Sequence, residues 1–238
     1  MLNKDLFYST IEKFDITIDD AAFDRLDNFA EMLIETNKSF NLSAIKEPDD
    51  VTVKHFADCL AIFKYVNIPE NAKVIDVGTG AGFPGIPLAI ILENTEFTLM
   101  DSLNKRINFL NDVIELCELN NVTTIHSRAE DLGRNVEYRE KFDICVSRAV
   151  ANLSTLLEYC IPFVKVGGSF ISYKSGDVDE EIVASKSSQD KLSCIIDKKI
   201  SFTLNGTDMS RSFVKFDKKG ILSKKYPRQA GKPKKEPL

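Results

Sequence analysis

Residues 74–92 read VIDVGTGAGFPGIPLAIIL, and this stretch decides the fold. A short β-rich run over 74–77 carries Asp76 near its end, and glycines follow at positions 78, 80, 82 and 85. An apolar stretch then begins with Pro84 and Pro87 near its start, where the first turn of a helix tolerates proline. The pattern predicts a strand, a glycine turn and a helix, the unit in which bare backbone approaches a nucleotide-like ligand.

The spacing of the glycines separates two classes of ligand-binding turn. A dinucleotide-binding fingerprint has its third glycine three positions after the second, but Phe83 stands there and the glycine falls at position 82. The order Asp-x-Gly-x-Gly-x-Gly instead resembles motif I of the S-adenosylmethionine (SAM) methyltransferases. A glycine turn that serves tight packing alone is the alternative interpretation.

The composition limits the class of protein. A chain of 238 residues can bury a sizeable core in one domain with an appendage. Charges throughout the first 20 residues argue against a signal peptide, and no apolar run is long enough to cross a membrane. The five cysteines show no paired spacing and there are only two histidines, so we expect no metal site. The cysteine pattern predicts a reducing cytoplasm, and we expect a monomer without a membrane partner.

Charge is distributed unevenly along the chain. The net charge is −5, yet residues 215–238 hold nine Lys or Arg and two Asp or Glu, a net of +7, and the rest of the chain carries −12. An acidic body with a basic tail is typical of a protein that meets a polyanion along one edge. A solvated, disordered terminus is the alternative that charge alone leaves open.

The order of predicted elements indicates an α/β protein. Residues 1–66 are predicted to be helical, with a cap at Asp19 and Asp20 and a second helix from about Pro48. Strands are predicted at 73–77, 97–101, 122–126, 142–147 and 169–174, with helices near 84–92, 103–119 and 152–160. This alternation predicts a parallel sheet with helices on both faces, and the runs 194–202 and 211–216 predict a closing antiparallel hairpin. We divide the chain into a helical extension (1–66), an α/β domain (67–217) and a basic tail (218–238).

The ends of the predicted strands carry the candidate ligand-binding residues, because open parallel sheets bind ligands there. Asp101 follows Gly80 by 21 residues, which suits a carboxylate that accepts hydrogen bonds from both hydroxyls of a ribose. A helix N-cap is the alternative role of Asp101, and the two roles can coexist. The third strand leads into residues 127–131, where a turn can face an adenine edge. Arg148 ends a central strand, a position that favours function.

An ordered series of motifs resembles the RsmG/GidB family from about residue 35 to the C-terminus. Motif I alone is weak evidence, whereas the ordered series is specific. One departure is Ser175, which stands between Lys174 and Gly176 where the family pattern has Lys-Gly directly. The motifs are NLSAI (41–45), KHFAD (54–58), DVG through the last glycine of the turn (76–85), DS (101–102), RAE (128–130), SRAVA (147–151), YPR (226–228), GKP (231–233) and PL (237–238).

The resemblance implies a fold, a reaction and a set of contacts. The fold is that of the class I SAM methyltransferases, a Rossmann-like doubly wound sheet with a C-terminal antiparallel hairpin, here preceded by a helical extension. The family methylates N7 of a guanine, guanine 527 in the 530 loop of bacterial 16S ribosomal RNA, so the implied cofactor is SAM and the implied partner is 16S rRNA or the small ribosomal subunit. By the resemblance SAM is contacted by Gly78, Phe83, Ala129, Glu130 and Arg148. We add Gly80 and Asp101 to the predicted cofactor-binding residues.

The sequence lacks the motifs of two other classes of methylase, which agrees with chemistry at N7. Exocyclic-amine methylases usually carry an Asn/Asp-Pro-Pro-aromatic segment after the fourth strand, whereas residues 147–150 read SRAV. Pyrimidine C5 methylases need a nucleophilic cysteine, commonly before proline, and no Cys-Pro occurs. Guanine N7 already offers a lone pair, so we expect direct in-line methyl transfer without an essential general base.

His55 and Asp58 are three residues apart on the second predicted helix, beside Lys54, and we take them with Arg148 as candidate catalytic residues. One interpretation of His55 and Asp58 is a contact with RNA phosphate or with the target base. The other is a half-buried histidine that is tied to its own helix neighbour, because His55 also falls on the apolar stripe.

The tail supplies most of the candidate RNA contacts. Tyr226 is expected to stack on a base while basic side chains follow the phosphates. The prolines of the tail are expected to keep it extended, as a strap on RNA rather than a packed element. The predicted RNA-binding residues are Lys54, Lys224, Lys225, Tyr226, Arg228 and Lys232.

Two alternative functions remain at this point. An NAD-dependent oxidoreductase is the nearest alternative enzyme, and Phe83 in place of the third glycine argues against it. A catalytically silent rRNA-binding assembly factor with a SAM fold is the second alternative. The set of strand-end residues argues against it, because a pure binding protein has no need of Asp101 and Arg148 together.

Overall fold

The computed structural model of the protein describes residues 1–14, 16–148 and 150–238, so Ala149 of the SRAVA motif lies outside the described residues. The predicted helical extension is confirmed, including the cap: the Asp19 carboxylate accepts a hydrogen bond from the Ala22 N–H. Its helices are α1 (Lys4–Ile11), α2 (Asp20–Ser39), α3 (Pro48–Val51) and α4 (Asp58–Leu60).

The second predicted helix is not uniform. Between α3 and α4 the backbone is π-helical over Thr52–Ala57, and a 3-10 turn over Ala61–Lys64 follows α4. One continuous helical segment therefore runs over 48–64, with its widest turn in the KHFAD motif. Apolar periodicity does not reveal a π-helical turn, which in other proteins is frequent at functional sites.

Seven strands form one mixed sheet in the order β3-β2-β1-β4-β5-β7-β6. Strands β1 to β5 are parallel, and β6 and β7 form the antiparallel hairpin that the sequence predicts, with β7 paired to β5. The strand order reverses between β1 and β4. The strands are β1 (Lys73–Val77), β2 (Glu96–Asp101), β3 (Val122–His126), β4 (Phe142–Arg148), β5 (Val164–Ser175), β6 (Cys194–Thr203) and β7 (Ser210–Lys218).

Helices lie on both sides of the sheet, and four short ones were not predicted from the sequence: α7 (Ala129–Leu132), α9 (Asp179–Ala184), α10 (Lys186–Lys191) and α11 (Lys232–Lys235). Helix α9 buries none of its side chains, so it carries no apolar stripe from which to predict it. The helices are α5 (Gly85–Ile91), α6 (Asn104–Leu116), α7 (Ala129–Leu132), α8 (Leu153–Cys160), α9 (Asp179–Ala184), α10 (Lys186–Lys191) and α11 (Lys232–Lys235).

The N-terminal helices share one hydrophobic core with the sheet. The buried ring of Phe29 on α2 stacks on Phe83 of the glycine turn at 5.1 Å and meets the edge of Phe56 at 5.2 Å. The helical extension therefore supports the glycine turn directly. The domain boundaries at 66 and 217 stay a prediction. In the described part of the chain, no helix is both long and apolar enough to span a membrane.

Candidate cofactor and substrate cleft

A cleft of about 720 Å³ opens at the carboxyl ends of β1, β2, β3 and β4. It lies where the strand order reverses, the place at which doubly wound sheets bind ligands. The topology thus brings the predicted cofactor-binding residues, which are far apart in the sequence, to one cavity. The cleft is lined by all seven of them: Gly78, Gly80, Phe83, Asp101, Ala129, Glu130 and Arg148.

The glycine turn forms the floor of the cleft, and the two glycines that line it, Gly78 and Gly80, have left-handed backbone conformations. Gly78 has φ +73° and Gly80 has φ +64°. Residues with a side chain adopt this left-handed backbone region only with strain. A Cβ atom on Gly78 would lie 2.8 Å from a methyl group of Val150, whereas a Cβ atom on Gly80 would meet no atom within 4 Å. Bare backbone is therefore exposed to a ligand along this turn.

Asp101 ties the glycine turn to the start of α6. Its carboxylate accepts hydrogen bonds from the Gly80 N–H at 3.0 Å and the Leu103 N–H at 2.9 Å, and from Nη1 of Arg106 at 3.0 Å. The side chain is almost fully buried. The contact with Leu103 joins the end of β2 to the segment before α6 but does not cap that helix, because its N-cap residue is Leu103, so the N-cap alternative for Asp101 is wrong. The contact with ribose stays a proposal.

Asp76, the aspartate of motif I, holds the turn from beneath. Its side chain is fully buried, and Oδ2 accepts a hydrogen bond from the Gly85 N–H at 2.9 Å. Burial raises the pKa of the Asp76 carboxyl to about 7. Asp76 does not line the cleft, so it stabilises the glycine turn and does not face the ligand.

The structure brings the three predicted catalytic residues together around Arg148. Nη1 of Arg148 donates hydrogen bonds to the Lys54 carbonyl at 3.1 Å and to Oδ2 of Asp58 at 3.2 Å, while Nη2 donates to Nδ1 of His55 at 2.9 Å. The second oxygen of Asp58 accepts a hydrogen bond from Nε of Arg211 at 2.8 Å. All three hydrogen-bond acceptors of Arg148 belong to the helical segment that contains the π-helical turn.

His55 is held on both sides and carries no charge at neutral pH. Its ring stacks on Phe83, with centroids 4.5 Å apart and an interplanar angle of 7°. Burial, reinforced by the positive charge of Arg148, lowers the pKa of His55 to about 3. The two nitrogens face Arg148 and Ser43. The interpretation that His55 is tied to its own helix neighbour Asp58 is therefore wrong.

The C-terminal tail is packed, so the prediction of an extended strap is wrong. Tyr226 is buried, and the guanidinium of Arg228 pairs with the fully buried carboxylate of Glu158. Residues 232–235 form the short helix α11. A buried carboxylate is stable only with a cationic partner, and Arg228 lies against Glu158 for this reason. Tyr226 and Arg228 are therefore removed from the predicted RNA contacts.

Polar contacts fasten the tail and bring it to the cleft. Arg139 donates hydrogen bonds to the carbonyls of residues 222, 223 and 226. Oε1 of Glu130 accepts a hydrogen bond from the Gly231 N–H at 2.7 Å. Gly231 and Lys234 both line the cleft. The sequence did not predict that the tail lines the cleft, because no local pattern joins Gly231 to Glu130.

Other predicted RNA contacts are on the surface. Lys224, Lys225 and Lys232 are exposed, and Lys54 is half-buried beside Asp50, with its Nζ 2.8 Å from Oδ2. Among residues 1–14, 16–148 and 150–238, no group of three or more His, Cys, Asp or Glu side chains is placed to hold a metal ion.

Comparison with known sequences assigns the chain to a family. Residues 22–211 match the family model GidB, described as rRNA small subunit methyltransferase G. The chain belongs to the GidB family. It is 45% identical to the ribosomal RNA small subunit methyltransferase G of Clostridium botulinum over 233 residues, 98% of either chain. It is 43% identical to the protein of the same name from Lachnoclostridium phytofermentans, over 100% of this chain and 98% of the relative.

Comparison with solved structures confirms the fold of this GidB-family chain. A SAM-dependent methyltransferase from Aquifex aeolicus superposes with a TM-score of 0.55 at 15% identity, covering 77% of this chain and 97% of that chain. The prediction of a class I SAM-methyltransferase fold is therefore confirmed. The family model and the full-length relatives confirm the predicted family, and the predicted cofactor, SAM, is confirmed as well.

Proposed function

We propose that this protein transfers the methyl group of SAM to N7 of a guanine in 16S rRNA, guanine 527 of the 530 loop, by direct in-line attack. The observation that supports the proposal most strongly is the strand-end cleft. It gathers the seven residues predicted to bind the cofactor beside the cluster of Arg148, His55 and Asp58.

The cleft has two ends with different chemistry. Asp101 and Glu130 supply carboxylates at the ends of β2 and β3, where we place the ribose and the adenine of SAM. Arg148 and His55 lie at the β4 side, and both pack against the ring of Phe83 in the glycine turn. Bound SAM supplies a methyl group on a positively charged sulfur, and we place that group at the end of the cleft formed by Arg148 and Phe83.

The cluster at this end offers no free base. His55 is neutral with both nitrogens occupied, and the Asp58 carboxylate pairs with Arg148 and Arg211. An amine or a ring carbon as the target would require a proton to leave, whereas guanine N7 attacks with an existing lone pair. The residues of the cleft would therefore act by holding the two reactants in line, an effect that contributes up to roughly 7–11 kcal/mol in well-oriented pairs.

The proposed partner is 16S rRNA, free or within the small ribosomal subunit, and the proposed state of the protein is a monomer. Exposed lysines of the C-terminal tail, whose residues Gly231 and Lys234 line the cleft, give the polyanion a place to bind, because phosphate contacts position RNA without reading its sequence. The proposed phosphate contacts are Lys54, Lys224, Lys225 and Lys232.

Methyl transfer and mapping of the product test this function. The protein would be incubated with methyl-labelled SAM and either naked 16S rRNA or small subunits from cells that lack it. We expect labelled N7-methylguanosine at a single position of the 530 loop. Label on another atom or in another loop would contradict the proposal. SAM binding without any transfer would favour a silent rRNA-binding factor.

A further inference from the structure

The hydrogen-bond partners of His55 fix the position of its proton. A guanidinium carries only donors, so Nδ1 of His55 must accept the hydrogen bond from Nη2 of Arg148 at 2.9 Å. A neutral imidazole whose Nδ1 accepts carries its hydrogen on Nε2. The Nε2–H of His55 therefore donates to Oγ of Ser43, which lies 2.6 Å away.

This assignment leaves the Ser43 hydroxyl with one free hydrogen. Its oxygen also accepts a hydrogen bond from the Ile45 N–H at 3.0 Å. A hydroxyl has two lone pairs and one donor hydrogen, and both lone pairs are now occupied. Ser43 is half-buried and lines the cleft. The chain of donors from Arg148 through His55 thus ends in an O–H group that can donate into the cleft.

A free donor at this place distinguishes guanine from adenine. Guanine presents an acceptor, O6, beside N7 on the same edge of the base, whereas adenine presents a donor there. Arginine reads guanine by bonding to O6 and N7 together, which would occupy the lone pair that must attack the methyl group. A single hydroxyl contact with O6 leaves N7 free.

We propose that Ser43 determines base specificity by donating a hydrogen bond to O6 of the target guanine, which holds N7 in line with the methyl group. The proposal rests on the proposed function, since it requires a guanine N7 target. Arg148 and His55 then act on the base through Ser43, because they set the direction of its hydrogen.

Kinetics of Ser43 variants give the first test. Ser43→Ala is expected to lower kcat/KM for rRNA at least tenfold and to leave the Kd for SAM unchanged, whereas Ser43→Thr, which keeps the hydroxyl, retains most of the activity. Ser39→Ala, the same change at the exposed end of α2, serves as the control. Because Ser43→Ala also leaves the N–H groups of His55 and Ile45 without an acceptor, the melting temperature is measured for each variant.

A substrate that lacks O6 distinguishes loss of the Ser43–O6 hydrogen bond from general damage to the protein by the Ser43→Ala change. RNA with 2-aminopurine at the target position keeps N7 but has no oxygen at C6. We expect Ser43→Ala to slow transfer at least tenfold on guanine RNA and less than twofold on 2-aminopurine RNA. The same factor on both RNAs would overturn the role of Ser43. A wild-type product methylated at an atom other than N7 would instead overturn the proposed function.

Discussion

The guanidinium of Arg228 and the carboxylate of Glu158 form a bidentate ion pair, with Nε 2.9 Å from Oε1 and Nη2 2.6 Å from Oε2. The backbone N–H of Arg228 donates to the same carboxylate at 2.7 Å. Glu158 lies on α8 and is fully buried. This contact fixes the tail just before it reaches the cleft with Gly231 and Lys234, so the most basic segment of the chain is part of the folded structure.

Arg228→Ala is expected to destabilise the protein strongly. Removing one partner of a buried ion pair leaves an uncompensated charge, which costs about 3–5 kcal/mol. The free energy of unfolding, measured with urea, should fall by this amount. Arg134→Ala, at an exposed arginine, should change it by less than about 0.5 kcal/mol. Equal small effects of both changes would show that the pair of Arg228 and Glu158 adds nothing to the stability of the fold.

Joint replacement of Lys224, Lys225 and Lys232 by alanine should raise KM for the ribosomal substrate and leave SAM affinity unchanged. The difference from wild type should shrink as salt rises, because fewer counterions are released when phosphate contacts are missing. The triple variant Lys13→Ala/Lys186→Ala/Lys191→Ala, at exposed lysines outside the tail, controls for the loss of three charges. Wild-type RNA affinity of the Lys224→Ala/Lys225→Ala/Lys232→Ala variant at low salt would remove these lysines from the RNA surface.

Gly78→Asp should abolish SAM binding while the fold survives. The new side chain would start 2.8 Å from Val150, at a φ of +73°, and would put a carboxylate on the floor of the cleft. Gly206→Asp is the matched control, because it has φ +74° and lies in the hairpin turn, away from the cleft. Calorimetry should show loss of SAM binding in the first variant alone. Unchanged affinity of Gly78→Asp would contradict the cofactor site.

The stability contributed by His55 should depend on pH in one direction. Its pKa is about 3 in the folded protein and 6.5 when unfolded, so its contribution is complete above pH 6.5 and is lost as pH falls towards 3. The stability advantage of wild type over His55→Gln should therefore shrink below pH 6.5, by at most about 1.4 kcal/mol per pH unit.

Comparing wild type with His55→Gln at each pH removes the contribution of other titrating groups. Asp76, whose pKa of about 7 lies above its unfolded value, gains stability as pH falls, but it does so equally in wild type and in His55→Gln, so its effect cancels. Urea unfolding at several pH values measures the difference. A difference that stays constant between pH 7 and pH 4 would mean that His55 titrates normally.

Local signals predicted the fold and one side of the site. The glycine turn and the carboxyl ends of β1 to β4 follow from spacing and from the rule that strand ends converge, so the sequence placed Gly80, Asp101 and Arg148 at the edge of the sheet where the cleft lies. Contacts between distant residues gave no such signal. Glu158 lies 70 residues before Arg228, and Asp58 lies 153 residues before Arg211. Charge counts revealed a basic tail but not the buried carboxylate that holds it.

The rate of methyl transfer by Arg148→Ala tests most directly the claim that the strand-end cleft is the active site. Arg148 lines the cleft, and Asp58 keeps Arg211 as a partner after the change, so the fold should survive with a melting temperature within a few degrees of wild type. We predict at least a tenfold slower transfer to rRNA, equivalent to about 1.4 kcal/mol, and a wild-type rate for Arg134→Ala. A folded Arg148→Ala protein that transfers methyl groups at the wild-type rate would contradict the account, and unfolding of this variant would make Arg148 a structural residue.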